Sequence, residues 1–184
     1  MKIDRVEAIN LRFEYPGGYG FRGGGGVCTA RLTTLILVHT DTGQVGIGSA
    51  YSHPDACRCG GIGQLMQVVR LAGEQGLRVA PHTWSDAVAL MANAQVVAAL
   101  PNGITVEMDR TGNPFIEELL VEPLKVRDGQ LQLSRAPGLG LELDWRVVER
   151  LRMADPLHIP DGAYSDMAFG TSYFTQTLPY EESP

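Results

Sequence analysis

The chain has 184 residues, 44% hydrophobic and 20% charged, with a net charge of −6. That length suffices for one ordinary domain with a core, or two small ones, and the composition is that of a soluble globular protein. The acidic balance argues against nucleic acid as a partner, since phosphate binding needs a basic face, and the longest apolar runs, such as Leu35–Val38, are far too short to span a membrane.

The amino-terminal "MKIDRVEAIN" carries charges where an export signal needs an apolar stretch. The three cysteines include the close pair Cys57 and Cys59, a spacing that rarely builds a disulfide framework. A reducing compartment, by default the cytoplasm, is the expected location.

Alternation of Ile3, Val6, Ile9, Leu11 and Phe13 with polar residues predicts a strand over about 3–14. "PGGYGFRGGGG" follows, and its glycines predict a flexible loop without regular structure. Two β-rich runs then flank Asp41-Thr42-Gly43, which has the turn chemistry of a hairpin. The first 52 residues therefore read as a three-stranded antiparallel meander.

The period changes at Ile62. Apolar residues at Ile62, Leu65, Met66, Val69 and Ala72 have helical spacing, and Gly76 suits the helix end. "LRVAPH" predicts a short buried strand. Ser85 and Asp86 lead into a second helix with Ala87, Val88, Met91, Ala94 and Val97 on one face. Pro101-Asn102-Gly103 breaks it, and "ITVEMD" predicts another strand. Helix, strand, helix, strand over 60–109 implies parallel strands with covering helices. Beyond Pro114, Asp128-Gly129 signals a hairpin within "LLVEPLKVRDGQLQLS", "APGLGLELD" is a turn-rich extension, and "WRVVERLRM" predicts a short helix. The last thirty or so residues show no periodicity.

His53, Asp55, Cys57 and Cys59 lie within seven positions, a density that suggests a metal site. A structural zinc site needs a second ligand pair at close spacing, however. Cys28, His39, His82 and His158 supply none, so the cysteines are expected to be small, partly buried residues. "GGIGQL" opens a helix but lacks the lysine and glycine pattern of a nucleotide-binding loop, so a strand-to-helix turn is expected.

Pro54, Asp55, Arg58, Gly60, Gly61, Ile62, Pro81 and His82, followed by "VEMD", "FIEELLVEPLKVRDGQLQL" and "PGLGLELD", resemble in order and spacing the mandelate racemase branch of the enolase superfamily. "TDTGQVGIGSAY" is similar to a hairpin of that family's amino-terminal cap. The resemblance covers roughly residues 1–150. It implies an α/β chain, α+β overall: a remnant of an antiparallel capping domain over 1–52, then about two βα units of a TIM-like barrel with a β-rich extension over 53–184. A full barrel takes about 250 residues, so about thirty per βα unit, and Asp55 to Asp109 holds only two. The family pattern jumps near Ser52-His53, where its middle is missing.

The resemblance also implies a chemistry. Full-length members abstract the proton α to a carboxylate of an acid sugar, as dehydratases or racemases, with Mg²⁺ as Lewis acid. His82 matches the base, Asp55 the carboxylate that orients it, and Glu107 a further carboxyl near the substrate acid that donates a hydrogen bond when protonated. The family's Lys-x-Lys pair has no counterpart, because Lys2 and Lys125 are the only lysines. The strands expected to carry the three metal carboxylates also fall in the missing part. The chain alone is therefore expected to be inactive and to bind no Mg²⁺, with His82, Asp55 and Glu107 as remnants. The rival expectation is a non-catalytic protein that self-associates, or pairs with a longer relative, through open strand edges. Nothing in the spacing of Asp109, Glu118 or Asp166 recommends a rebuilt metal site.

Overall fold

A computed structural model describes residues 1–18, 21–23, 26–50, 60–154 and 174–175. Three strands form the expected meander: β1 (Ile3–Glu14), β4 (Ala30–Thr40) and β5 (Val45–Ala50) run antiparallel in the order β1-β4-β5. The register sets Ile9 opposite Leu35 and Leu11 opposite Thr33. Because side chains alternate along a strand, Ile9, Leu11, Leu35 and Leu37 all fall on one face, where all four are buried. The β4–β5 turn closes at Asp41–Gly43, with Gly43 at φ 80° and the Thr40 amide donating to the Gln44 carbonyl at 3.0 Å.

The glycine-rich stretch departs from expectation. After a turn at Pro16–Gly18 the chain forms a small hairpin, β2 (Phe21–Gly23) against β3 (Gly26–Cys28), and β3 also pairs with β8 (Phe174–Thr175). Ladder hydrogen bonds come from the backbone, so glycines weaken such a pair without forbidding it.

Helix α1 (Ile62–Glu74) buries Leu65 and Val69 and is followed by Gly76 at φ 69°. Helix α2 (Ala87–Ala99) starts at Asp86, whose Oδ1 accepts the Ala89 amide at 2.9 Å as an N-cap. Its buried set is wider than the predicted face: Leu90 and Val96 are buried too, and Val97 is only partly so. The helix touches β5, α1 and α3, and this cover on several sides explains the missing polar face.

The two predicted strands between the helices do not form ladders. Where these segments meet there is one parallel bridge, Val79 with Gly103 just ahead of 104–109, made by the Val79 amide to Asn102 O (2.9 Å) and the Ile104 amide to Val79 O (3.0 Å). Parallel pairs are stable when flanked on both edges and covered on both faces. Here Leu77 and Ile104 are 60% and 45% exposed. The Asn102 side chain ties the crossing instead, donating to Val69 O (2.7 Å) and Leu77 O (3.1 Å).

Further along, α3 (Pro114–Glu117) was not legible as a separate helix, although Asn113 caps it by accepting the Phe115 amide and Pro114 occupies its first turn. Asp128 (φ 50°) and Gly129 (φ 73°) turn the predicted hairpin between β6 (Val126–Arg127) and β7 (Gln130–Leu131). Both residues lie at positive φ, as a two-residue hairpin requires. Helix α4 (Trp145–Leu151) forms where predicted, and the chain leaving it runs antiparallel to β1 through Leu11 and Arg152. The main core joins the inner sheet face to α2, α3 and α4 through Leu35, Val88, Phe115, Leu119 and Val148.

Asp86 sits within that core. Its carboxylate accepts hydrogen bonds from Thr33 of β4 and Ser49 of β5 as well as from its own helix, yet burial outweighs them and pushes it above its ordinary 3.8. A carboxyl that holds its proton more tightly when folded makes stability fall as pH rises from 3.8 through the folded value. Asp86→Asn keeps the cap and loses that slope. Denaturant titrations should show the variant gaining on the parent as pH rises through this window, by about 1.4 kcal/mol per pH unit.

Gly103 offers a second check. A Cβ there would lie 2.6 Å from the Val97 carbonyl oxygen and 2.9 Å from Val97 Cα. Because these are backbone atoms that cannot swing aside, Gly103→Ala should destabilise by about 1–3 kcal/mol, read as a lowered denaturation midpoint.

Candidate functional site

His82 and Glu107 end the two segments joined at Val79 and Gly103. Continuing the parallel register of that bridge sets Thr83 beside Glu107, and the Thr83 amide donates to Glu107 Oε2 at 3.1 Å. The same oxygen meets His82 Nδ1. Both side chains are partly open to solvent, at 45% and 41%. A ring nitrogen held by a carboxylate fixes the tautomer: with Nδ1–H donating to Glu107, the basic lone pair lies on Nε2. The structure thus gives Glu107 the contact that the resemblance assigns to Asp55. Asp55 itself lies outside the described residues, as do His53, Cys57, Cys59, His158 and Asp166.

Neighbouring groups flank this pair. On the α2 side, Asn93 Nδ2 donates to Thr83 Oγ1 (2.8 Å) and to His82 O (3.4 Å). On the sheet side, the Trp84 indole lies parallel to the imidazole, with centroids 6.4 Å apart and planes 6° apart. The Arg31 guanidinium of β4 stands 5.0 Å from the Trp84 ring centre.

Arg31 is also half of a buried ion pair. Its side chain is 5% exposed, and it donates to Asp109 Oδ2 at 2.5 Å, where the carboxylate is 0% exposed. It further donates to Thr111 Oγ1 (2.7 Å) and Tyr15 OH (3.1 Å). Asp109 Oδ1 accepts from the Thr111 amide and hydroxyl, and Oδ2 also accepts from Asn113 Nδ2 at 3.0 Å. Sequence reasoning missed this network. Its signal was Arg31 itself, a cation on the inward-facing register of an apolar strand, which obliges a buried partner.

Two of the three acids considered for a rebuilt metal site are in ion pairs, Asp109 with Arg31 and Glu118 with Arg150 at 2.5 Å. Among the described residues no group of three or more His, Cys, Asp or Glu side chains is placed to hold a metal ion. His39 meets Arg5 (3.1 Å) and Glu7 (3.4 Å) on the sheet, away from the His82 pair in sequence and strand. Gly60 and Gly61, both at positive φ, form the turn into α1. No helix among the described residues is long and apolar enough to cross a membrane.

The chain combines a mixed helix and strand fold with an imidazole–carboxylate pair on two segments that share a parallel bridge, and comparison identifies its family. The model for "Enolase C-terminal domain-like" proteins matches residues 48–147, and the chain belongs to this family within the enolase superfamily, as its motifs led us to expect. It is 37% identical over 111 residues to the D-galactarolactone cycloisomerase of Agrobacterium fabrum, covering 56% of this chain and 29% of that protein. It is 35% identical over 96 residues to the D-xylonate dehydratase of Haloferax volcanii, covering 52% and 23%. A solved structure of a mandelate racemase/muconate lactonizing enzyme-like protein from Rubrobacter xylanophilus aligns with a TM-score of 0.48 at 32% identity, covering 52% of this chain and 25% of that one. The chain spans less than a third of the length of these curated relatives.

Removing one member of a buried ion pair strands the other. Arg31→Met should therefore destabilise by about 3–5 kcal/mol, and adding Asp109→Asn should recover part of the loss. Denaturant melts of the two single variants and the double variant measure this coupling. A loss below about 1 kcal/mol for Arg31→Met would rank the pair with exposed salt bridges.

Proposed function

We propose that this chain is a shortened member of the mandelate racemase type, built from a capping-domain remnant, about two βα units of a TIM-like barrel and a β-rich extension. The observation that supports this reading is the His82–Glu107 pair at adjacent segment ends. In the longer counterparts, His82 would act as base toward a proton α to the carboxylate of an acid sugar. With Glu107 on Nδ1, the proton is received at Nε2, and the imidazolium that forms is stabilised by the adjacent carboxylate. The resemblance gives Asp55 an orienting share in the same unit.

A bound Mg²⁺ would supply Lewis-acid stabilisation of the enolate. The described residues do not fit such an ion, which takes hard oxygen ligands in near-octahedral geometry, because no three acids converge and Asp109 is held by Arg31. Among the described residues the base is present without a set of acids that would hold such an ion, which supports reading the chain by itself as inactive. A second reading, an oligomerising or interaction protein, draws on the exposed Leu77 and Ile104 beside the single Val79–Gly103 bridge.

Incubation of the purified chain with galactarolactone, xylonate and gluconate in D₂O, with and without Mg²⁺, tests the first reading by NMR at the α-carbon. The expected outcome is no deuterium incorporation above a protein-free control. Mg²⁺-dependent incorporation that disappears in His82→Asn would show a working enzyme instead. Light scattering tests the second reading, which requires a mass above that of one chain.

A further inference from the structure

The segments that carry His82 and Glu107 are joined by one bridge, three residues before His82 and four before Glu107. A single bridge cannot by itself fix the facing of two side chains that far along. Two residues beyond each member of the pair stands a side chain held by Arg31: Trp84, under the guanidinium at 5.0 Å, and Asp109, bonded to it at 2.5 Å.

We infer that Arg31 is a positioning residue for the His82–Glu107 pair, pinning Trp84 on one segment and Asp109 on the other and so setting how the imidazole and carboxylate face each other. The inference rests on the reading of His82 as the group that handles the proton.

The chemistry of the side chain suits this task. A guanidinium is planar and forked, so it can stack on an indole while donating in its own plane to a carboxylate. Nε is anchored on Tyr15 OH at 3.1 Å, and the NH2 group reaches Asp109 and Thr111. Being 95% removed from solvent, these contacts are weakly screened and hold a defined geometry. The order then passes outward. Trp84 lies parallel to the His82 ring on the same segment, while Asp109, bound by four donors, holds the backbone two residues past Glu107. Arg31 comes from β4, so the sheet contributes to the pair through Trp84 and Asp109.

The test is ¹⁵N and ¹H NMR of the His82 ring in the full chain, above neutral pH. In the parent, the Nδ1–H tautomer should predominate and the ring C–H protons should be shifted upfield by the parallel indole. Glu107→Ala provides the reference for a ring released from its carboxylate. Arg31→Met should lower the Nδ1–H to Nε2–H ratio at least about two-fold toward that reference, and should reduce the upfield shift, while amide dispersion shows the chain still folded. Should Arg31→Met not fold, Trp84→Leu and Asp109→Asn report the two arms separately, and each should move the His82 signals in the same direction. A folded Arg31→Met with the parent tautomer ratio and ring shift overturns the inference, as do parent-like His82 signals in both single-arm variants. These readouts need no turnover, so Mg²⁺-dependent exchange by the purified chain would overturn the reading of it as inactive and leave the positioning role to be judged on the His82 signals.

Discussion

Burying a guanidinium against a carboxylate is costly unless every donor and acceptor finds a partner. At Arg31 and Asp109 further partners come from Tyr15, Thr111 and Asn113. The pair ties β4 to Asp109, 78 residues further on. Asn113 extends the tie by donating to Ser85 O at 2.9 Å while capping α3. Asp86, next in the chain, joins the start of α2 to Thr33 and Ser49. Polar groups therefore form the seam between the sheet and the helical half, and the apolar core closes around it.

This arrangement explains how a fold with so little parallel ladder holds a defined pair of side chains. In a closed barrel the backbone hydrogen bonds of neighbouring strands hold the strand ends in place. Here the described backbone between the two segments contributes the Val79–Gly103 bridge, and side chains do the rest: Asn102 at one end, Asn93 and Arg31 at the other. The hydrophobic effect packs the elements together without direction. Directional groups choose the register.

What was legible in the sequence follows the same division. Strands β1, β4 and β5 and helices α1, α2 and α4 could be read because their patterns are local: alternation of Ile9 and Leu11, helical spacing of Leu65 and Val69, the Asp86 cap. "LRVAPH" and "ITVEMD" have the composition of buried strands, but composition does not reveal whether neighbours exist to pair with them, and Leu77 and Ile104 emerge exposed. The glycine run hid a hairpin, because its ladder depends on partners rather than on its own side chains. His82 and Glu107 were singled out through resemblance as candidate site residues, whereas the contact between them was not foreseen. It depends on a parallel register that brings together residues 25 apart. The Arg31 network was hidden for the same reason, although an arginine among Leu35 and Leu37 on the inward face marked its presence.

The lone Val79–Gly103 crossing bears on how such a chain can change over generations. A backbone ladder resists sequence drift, because its bonds are made by atoms that every amino acid shares. A register held by asparagines, a tryptophan and an arginine has no such insurance, and one nucleotide change can release it. The spacing of His82 and Glu107 is thus exposed to mutation in a way that a closed barrel would prevent.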